Sequence, residues 1–424
     1  MIIQLSQQIM GFPMRTLISL LLASFLTACG GGGGGGSAPV SVAAISTCAL
    51  KSSATYPSSY AGSNSIPTTT QKFDNTVMRS IGLKDYYPVT NDCASSSEYA
   101  RLSYSKTLDR LQTLGVDVVE IYQYGPITDF NDSVWTTNES SWQIPKSELI
   151  WFVKEAHSRN IKVTLVWQLW GVDSKGNQIN TTNPSEIEML KVLRGWHNVI
   201  TDMAKFSGTN NVDNLYIQWS AFYYPVVTTY TESATQEFLS IIADIRSVFN
   251  GKLFMGTPRF YDKRIIEKVD AIVVPVTPSN WSYNDDLNIS VSLLKQRYAD
   301  AIVGKYLEYS LYTGMDPKNI PIIWDFNIQS RDKALSQGWV EDGFCVSSCI
   351  QNTYTTDFSV QALAIEGAFE AIKEQTYFKT YGINFSTAYW HTDTLVPGPE
   401  GFPNLSQSIR GKPAESIVKQ WFTK

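Results

Sequence analysis

Histidine is scarce in this chain, basic clusters are missing, and no apolar run reaches the length of a membrane span. There are 3 His in 424 residues, and no group of His, Cys, Asp and Glu has metal-ligand spacing, so no metal or other cofactor is expected. Asp and Glu (39) slightly outnumber Lys and Arg (34), with no basic run or stripe, which argues against a nucleic-acid partner. No glycine-rich phosphate loop follows the first strand-like run, which disfavours a nucleotide-binding doubly wound sheet. His157 and His197 fall in segments of helical period and read as structural. Aromatic residues, by contrast, are plentiful. The 12 Trp and 22 Tyr exceed what a core of this size needs, so some are expected to face a ligand.

The front of the chain is an address. Arg15 precedes an apolar run from Leu17 to Leu26, the length of a signal-peptide core and too short to span a bilayer. It ends in Leu26-Thr27-Ala28-Cys29, which resembles the lipobox of bacterial lipoproteins, in which the Cys becomes the lipidated N-terminus. The alternative is an ordinary secretory signal with an incidental Cys29. Glycines 30 to 36 then form a flexible tether. The expected layout is a signal over 1–28, a tether and Ser/Thr/Pro-rich linker or surface strap over 29–72, and one domain over 73–424. The resemblance implies a protein of the bacterial cell envelope, lipid-anchored in the outer membrane, touching the membrane only through that anchor. The other four cysteines suit an oxidising compartment. Cys345 and Cys349 share one loop and are expected to close a small ring, leaving Cys48 for Cys93; the competing reading of the C-x3-C pair is a metal site.

Strand-like runs alternate with helical ones. Candidate strands are 77–83, 117–123, 162–168, 214–219, 252–256, 271–276, 321–326 and 383–390. Between them, Tyr104, Leu108 and Leu111 share a helical face that ends at Gly115, and Phe238, Ile241, Ile242, Ile245 and Phe249 share another that ends at Asn250-Gly251. Such alternation implies parallel strands, and eight units close as a (β/α)8 barrel more readily than they open into a doubly wound sheet. The chemistry of such a barrel lies at the carboxyl ends of its strands. Trp167, Trp170, Trp219, Trp281, Trp324 and Trp390 fall near those ends, with Gln123, Gln168 and Gln218 among them. Indole stacks on the C–H face of a sugar and amides bond its hydroxyls, so a polysaccharide or oligosaccharide is the expected partner. Tyr124, Tyr223, Arg259 and His391 complete the candidate binding set. The bland alternative is that the tryptophans pack the barrel top against its loops. A monomer is expected.

Four stretches, Leu108 through Val119, Glu148 through Val166, Phe238 through Leu253, and Ser408-Ile409-Arg410-Gly411-Lys412-Pro413-Ala414 with Trp421-Phe422, point one way. Together they resemble clan A glycoside hydrolases, most closely the β-mannanase-like family 113 group. That clan works with two carboxyl groups flanking the glycosidic bond. The resemblance implies a nucleophile ending the seventh strand, where the clan reads T-E-x-G; here Ile323-Trp324-Asp325-Phe326-Asn327 places Asp325, one methylene shorter than Glu. It also implies an acid ending the fourth strand in Asn-Glu, but this chain reads Gln218-Trp219-Ser220-Ala221 and has no acidic residue between Leu215 and Tyr230.

Other residues must then supply the acid. Glu120 lies between Val119 and Ile121, where a lumen-facing carboxyl would have a raised pKa; it could instead be a structural partner for Arg79 or Arg259. Asp393 follows His391 after the eighth strand, and its alternative is a solvated loop carboxylate. Asp262 reads as the cap of a helix starting near Lys263. Three functions remain open: a hydrolase using Asp325 as nucleophile or base, a glycan-binding barrel without turnover, and a structural envelope lipoprotein. The long segment from 327 to 357, carrying Cys345 and Cys349, is expected to form a lid or subsite wall.

Overall fold

The computed structural model describes residues 58–83, 96–127, 144–171, 186–218, 232–256, 262–336, 355–389 and 405–423. The strands are β1 (Met78–Leu83), β2 (Val118–Ile127), β3 (Lys162–Gly171), β4 (Asn214–Gln218), β5 (Lys252–Gly256), β6 (Ala271–Pro275), β7 (Pro321–Phe326) and β8 (Lys379–Tyr389). The helices are α1 (Ser96–Thr113), α2 (Lys146–His157), α3 (Glu186–Thr209), α4 (Glu232–Val248), α5 (Lys263–Ile266), α6 (Tyr283–Leu287), α7 (Val291–Thr313), α8 (Phe358–Glu374) and α9 (Pro413–Phe422). All eight strands are parallel and close in sequence order, with β8 returning to β1. The expected (β/α)8 barrel is therefore the fold. Among the described residues, no helix is long and apolar enough to cross a membrane.

The cause is visible strand by strand. Successive side chains alternate between the barrel lumen and the helical shell. Along β7, Ile322, Trp324 and Phe326 join the large apolar cluster beneath the helices, whereas Ile323 belongs to the small inner cluster with Tyr122, Val166, Tyr216, Phe254, Ala271 and Val273. On the outside, Phe326, Phe369, Phe385, Trp421 and Phe422 pack ring on ring and seal α8 and α9 to the sheet. Gly115 (φ 79°) ends α1 in a left-handed turn, where an added Cβ would lie 2.5 Å from the Phe422 carbonyl oxygen, so the turn needs glycine. From Ser58 onward the strap expected before the barrel lies along α8: Tyr60 packs edge-on against Phe358, and Asn64 donates to Ser359.

Strand β8 begins earlier than its apolar run suggests. The register against β7 slips by one residue between Ile322 and Ile323, a bulge that opposes Tyr381 to no partner. This slip lets both Tyr381 and Asn384, three residues apart, face inward, as the contact of Tyr381 with the inner cluster shows. Gly382 accommodates it, since a Cβ there would meet Met78 at 2.9 Å.

Candidate active site

In a barrel of this shear, inward residues stack in layers of four taken from alternate strands. Following the strand register, one layer comprises Ser80, Thr164, Phe254 and Ile323. Above it come Glu120, Tyr216, Val273 and Asn384, and then, towards the mouth, Gly82, Val166, Gly256 and Asp325. The mouthward layer contains two glycines, and Tyr216 occupies the space above one of them. A Cβ on Gly256 would sit 2.1 Å from the Tyr216 hydroxyl oxygen.

These layers bring Glu120 of β2 and Asp325 of β7 together around one amide. Asn384 Nδ2 donates to Glu120 Oε2 at 3.0 Å and to Asp325 Oδ1 at 2.8 Å. Tyr122 Oη donates to the same Glu120 oxygen at 2.8 Å, and Ser386 Oγ makes a short hydrogen bond to Asp325 Oδ1. Glu120 is 2% exposed and belongs to the lower layer, whereas Asp325 is half-buried and sits nearer the mouth.

Their titration follows from that placement. Burial raises the Glu120 carboxyl to about 8, and the neighbouring Asp325 charge adds to the rise against the donors Tyr122 and Asn384. Burial raises Asp325 to about 6, opposed by hydrogen bonds from Ser386, Asn384 and the Phe326 backbone. At neutral pH the pair therefore carries one charge, on Asp325, with Glu120 protonated. The Tyr122 and Tyr216 hydroxyls are pushed well above their ordinary range by burial and by the same two acids, so both stay protonated. This is a fixed carboxylate at the mouth of a barrel, able to accept a proton or to attack an electrophile. Among the described residues no cluster of His, Cys, Asp and Glu could hold a metal ion.

Several expected residues lie elsewhere. Trp324 faces outward, fully buried, with its indole N–H donating to Thr380 at 3.2 Å; it is a core residue and cannot stack on a ligand in the lumen. Trp167 is likewise buried in the outer cluster. Gln123 clamps both backbone groups of Ile144 instead of facing the lumen. Strand alternation is the reason in each case, because the inward neighbours are Asp325, Val166 and Tyr122. Arg79 does not pair with Glu120. It donates to the Phe422 carbonyl at 2.8 Å and lies 3.8 Å from Asp117. Asp262 caps α5 through the Arg264 amide, and His157 and His197 bond Asp213, Glu237 and Asp244 on the shell.

Trp281 stands half-buried beyond β6, its N–H donating to Asp286 at 2.8 Å. Gln168, Trp170, Tyr124 and Gln218 lie on the strands, but their side chains fall outside the described residues, as do Trp219, Tyr223, Arg259, Trp390, His391, Asp393 and all five cysteines. The long segment after β7 is described at its two ends only, where Arg331 and Thr356 form an antiparallel bridge and Ser330 bonds the Ser406 backbone. Asn384, Ser386, Tyr122 and Tyr216 were not expected at the site. The signal for Asn384 and Ser386 was the polar–apolar alternation Ile383, Asn384, Phe385, Ser386, which marks small polar groups on the inner face of a strand.

No family model matches the chain, and no curated protein sequence matches it. Among solved structures, a GH113 β-1,4-mannanase superposes with a TM-score of 0.53 at 14% identity, covering 83% of this chain and 100% of its own. The GH113 β-mannanase of Alicyclobacillus acidocaldarius in complex with ManMIm gives 0.51 at 14% identity, covering 82% and 96%. At this identity the likeness establishes the fold, and it spans nearly the whole length of both enzymes. The chain therefore has a glycoside hydrolase-like (β/α)8 fold, similar to that of the GH113 β-mannanases.

Proposed function

We propose that this chain is a lipid-anchored protein of the bacterial envelope that hydrolyses a polysaccharide, with Asp325 as nucleophile or base. The observation that carries the reading is Asp325 itself: a half-buried carboxylate at the carboxyl end of β7, held by Asn384 and Ser386, in a hydrolase-like barrel. Glu120 cannot flank a glycosidic bond with it, since the Asn384 amide lies between them and Glu120 is sealed from solvent. The proton donor then comes from residues outside the described ones, with Asp393 the candidate from the sequence. The β-1,4-mannanase likeness suggests a β-linked glycan; it does not select mannan.

The test is reducing-sugar release from a panel of β-linked and envelope polysaccharides, by the parent and by Asp325→Asn. Activity in the parent and a loss of about 10²–10⁴-fold in the variant support hydrolysis. The missing acid between Leu215 and Tyr230 favours a second reading, a glycan-binding barrel without turnover. Binding by both proteins with release by neither establishes that reading instead. The anchor is tested separately, by metabolic labelling with a tagged fatty acid in the parent and in Cys29→Ser. If the parent takes up no label, or the variant takes up as much, lipidation at Cys29 is wrong.

A further inference from the structure

Glu120 is a fully buried acid that cannot touch a substrate, yet three elements are arranged around it. Tyr122 Oη and Asn384 Nδ2 both donate to its Oε2, and the second N–H of Asn384 goes to Asp325. An amide nitrogen has two hydrogens, so Asn384 serves Asp325 in this orientation only while an acceptor stands on its other side. Removing that acceptor leaves a buried donor unsatisfied and frees the amide to turn.

We propose that Glu120 is a positioning residue for Asp325: its carboxyl accepts from the Asn384 amide and so orients that amide to hold the Asp325 carboxylate at the barrel mouth. The role rests on Asp325 being the working carboxylate, but its test needs no substrate. Two donors on Oε2 make that atom the carbonyl oxygen of the acid and leave the proton to Oε1. The groups facing Glu120 explain why it stays neutral. They are Tyr122 on its own strand, Tyr216 from β4 and Asp325 from β7. Strands β1, β3 and β8 contribute Ser80 and Gly82, Thr164 and Val166, and Asn384 and Ser386. None of these is a cation, so a second ionisation would put two like charges on either side of one amide.

The experiment is a carboxyl ¹³C NMR titration of the full chain, labelled at Asp and Glu, with Asp325 assigned by the signal lost in Asp325→Asn. In the parent the Asp325 signal should move near pH 6 and again, by less, near pH 8 as Glu120 ionises. Glu120→Gln keeps a neutral acceptor, so the later movement should vanish while the first stays within about half a pH unit. Glu120→Leu removes the acceptor, and the Asp325 inflection should rise by about one unit or more. Reciprocally, Asp325→Asn should lower the Glu120 inflection by about one unit. That last measurement stands even where a Glu120 variant does not fold. An Asp325 titration identical in every background, or a Glu120 already ionised at neutral pH, overturns the proposal. A chain that cleaves no polysaccharide but shows the coupled titration loses the hydrolase reading and keeps this one.

Discussion

Two buried glutamates in this barrel each accept a hydrogen bond from a tyrosine, and their surroundings differ in one respect that matters. Glu415, at the start of α9, receives Tyr389 Oη on one oxygen, the Gly411 amide on the other, and both arms of the Arg110 guanidinium. Its charge is matched by a cation from α1, so the cluster ties the two ends of the barrel sequence together. Glu120 receives Tyr122 and Asn384, and its charged neighbour is another acid. A carboxylate clasped by a guanidinium serves as a staple. An uncompensated one stays protonated, and the energy of its burial becomes a perturbed titration next to Asp325, which is where such perturbation is useful for chemistry.

The same substitution at both positions can break this comparison. Glu415→Gln should destabilise the fold by about 3 kcal/mol in urea unfolding, because it removes a charge-assisted bidentate pair with Arg110. Glu120→Gln should be near neutral at pH 4.5 and below, where the folded and unfolded side chains both carry the proton. Its effect appears as pH rises. The folded-state pKa of Glu120, about 8, lies above the ordinary 4.5, so between those values the folded protein keeps a proton that the unfolded chain has released. Stability should therefore fall as pH rises through that window, with a slope of up to about 1.4 kcal/mol per pH unit. Measured from pH 6.5 to 7.5, above the Asp325 transition, Glu120→Gln should flatten that slope and become more stable than the parent. Equal destabilisation by both substitutions, with no change in slope, would mean that the two glutamates are alike.

Much of the architecture was legible because it repeats. Two strands, β5 and β7, match their apolar runs residue for residue, and the others differ only at their ends. Asp325 was legible from the resemblance and from its place ending β7. Trp324 and Trp167 were over-read for a reason that alternation already contains: if Asp325 and Val166 point inward, Trp324 and Trp167 must point out. Gln123 fell by the same rule. The surroundings of Glu120 were half legible. Its apolar flanks implied a raised pKa, but they gave no hint of whether Arg79 or another group would face it.

The sequence by itself determined the barrel, because strand and helix periods and their alternation are local properties of the chain and eight parallel units have few ways to bury their faces. It also determined that an acid would lie at the end of β7 and none at the end of β4. Only the tertiary structure decided which acid is charged. Glu120, Asp325 and Asn384 are separated by up to 264 residues and meet through barrel closure and a one-residue bulge in β8. The desolvation and like-charge repulsion that set their protonation act through space, between strands that no local pattern connects.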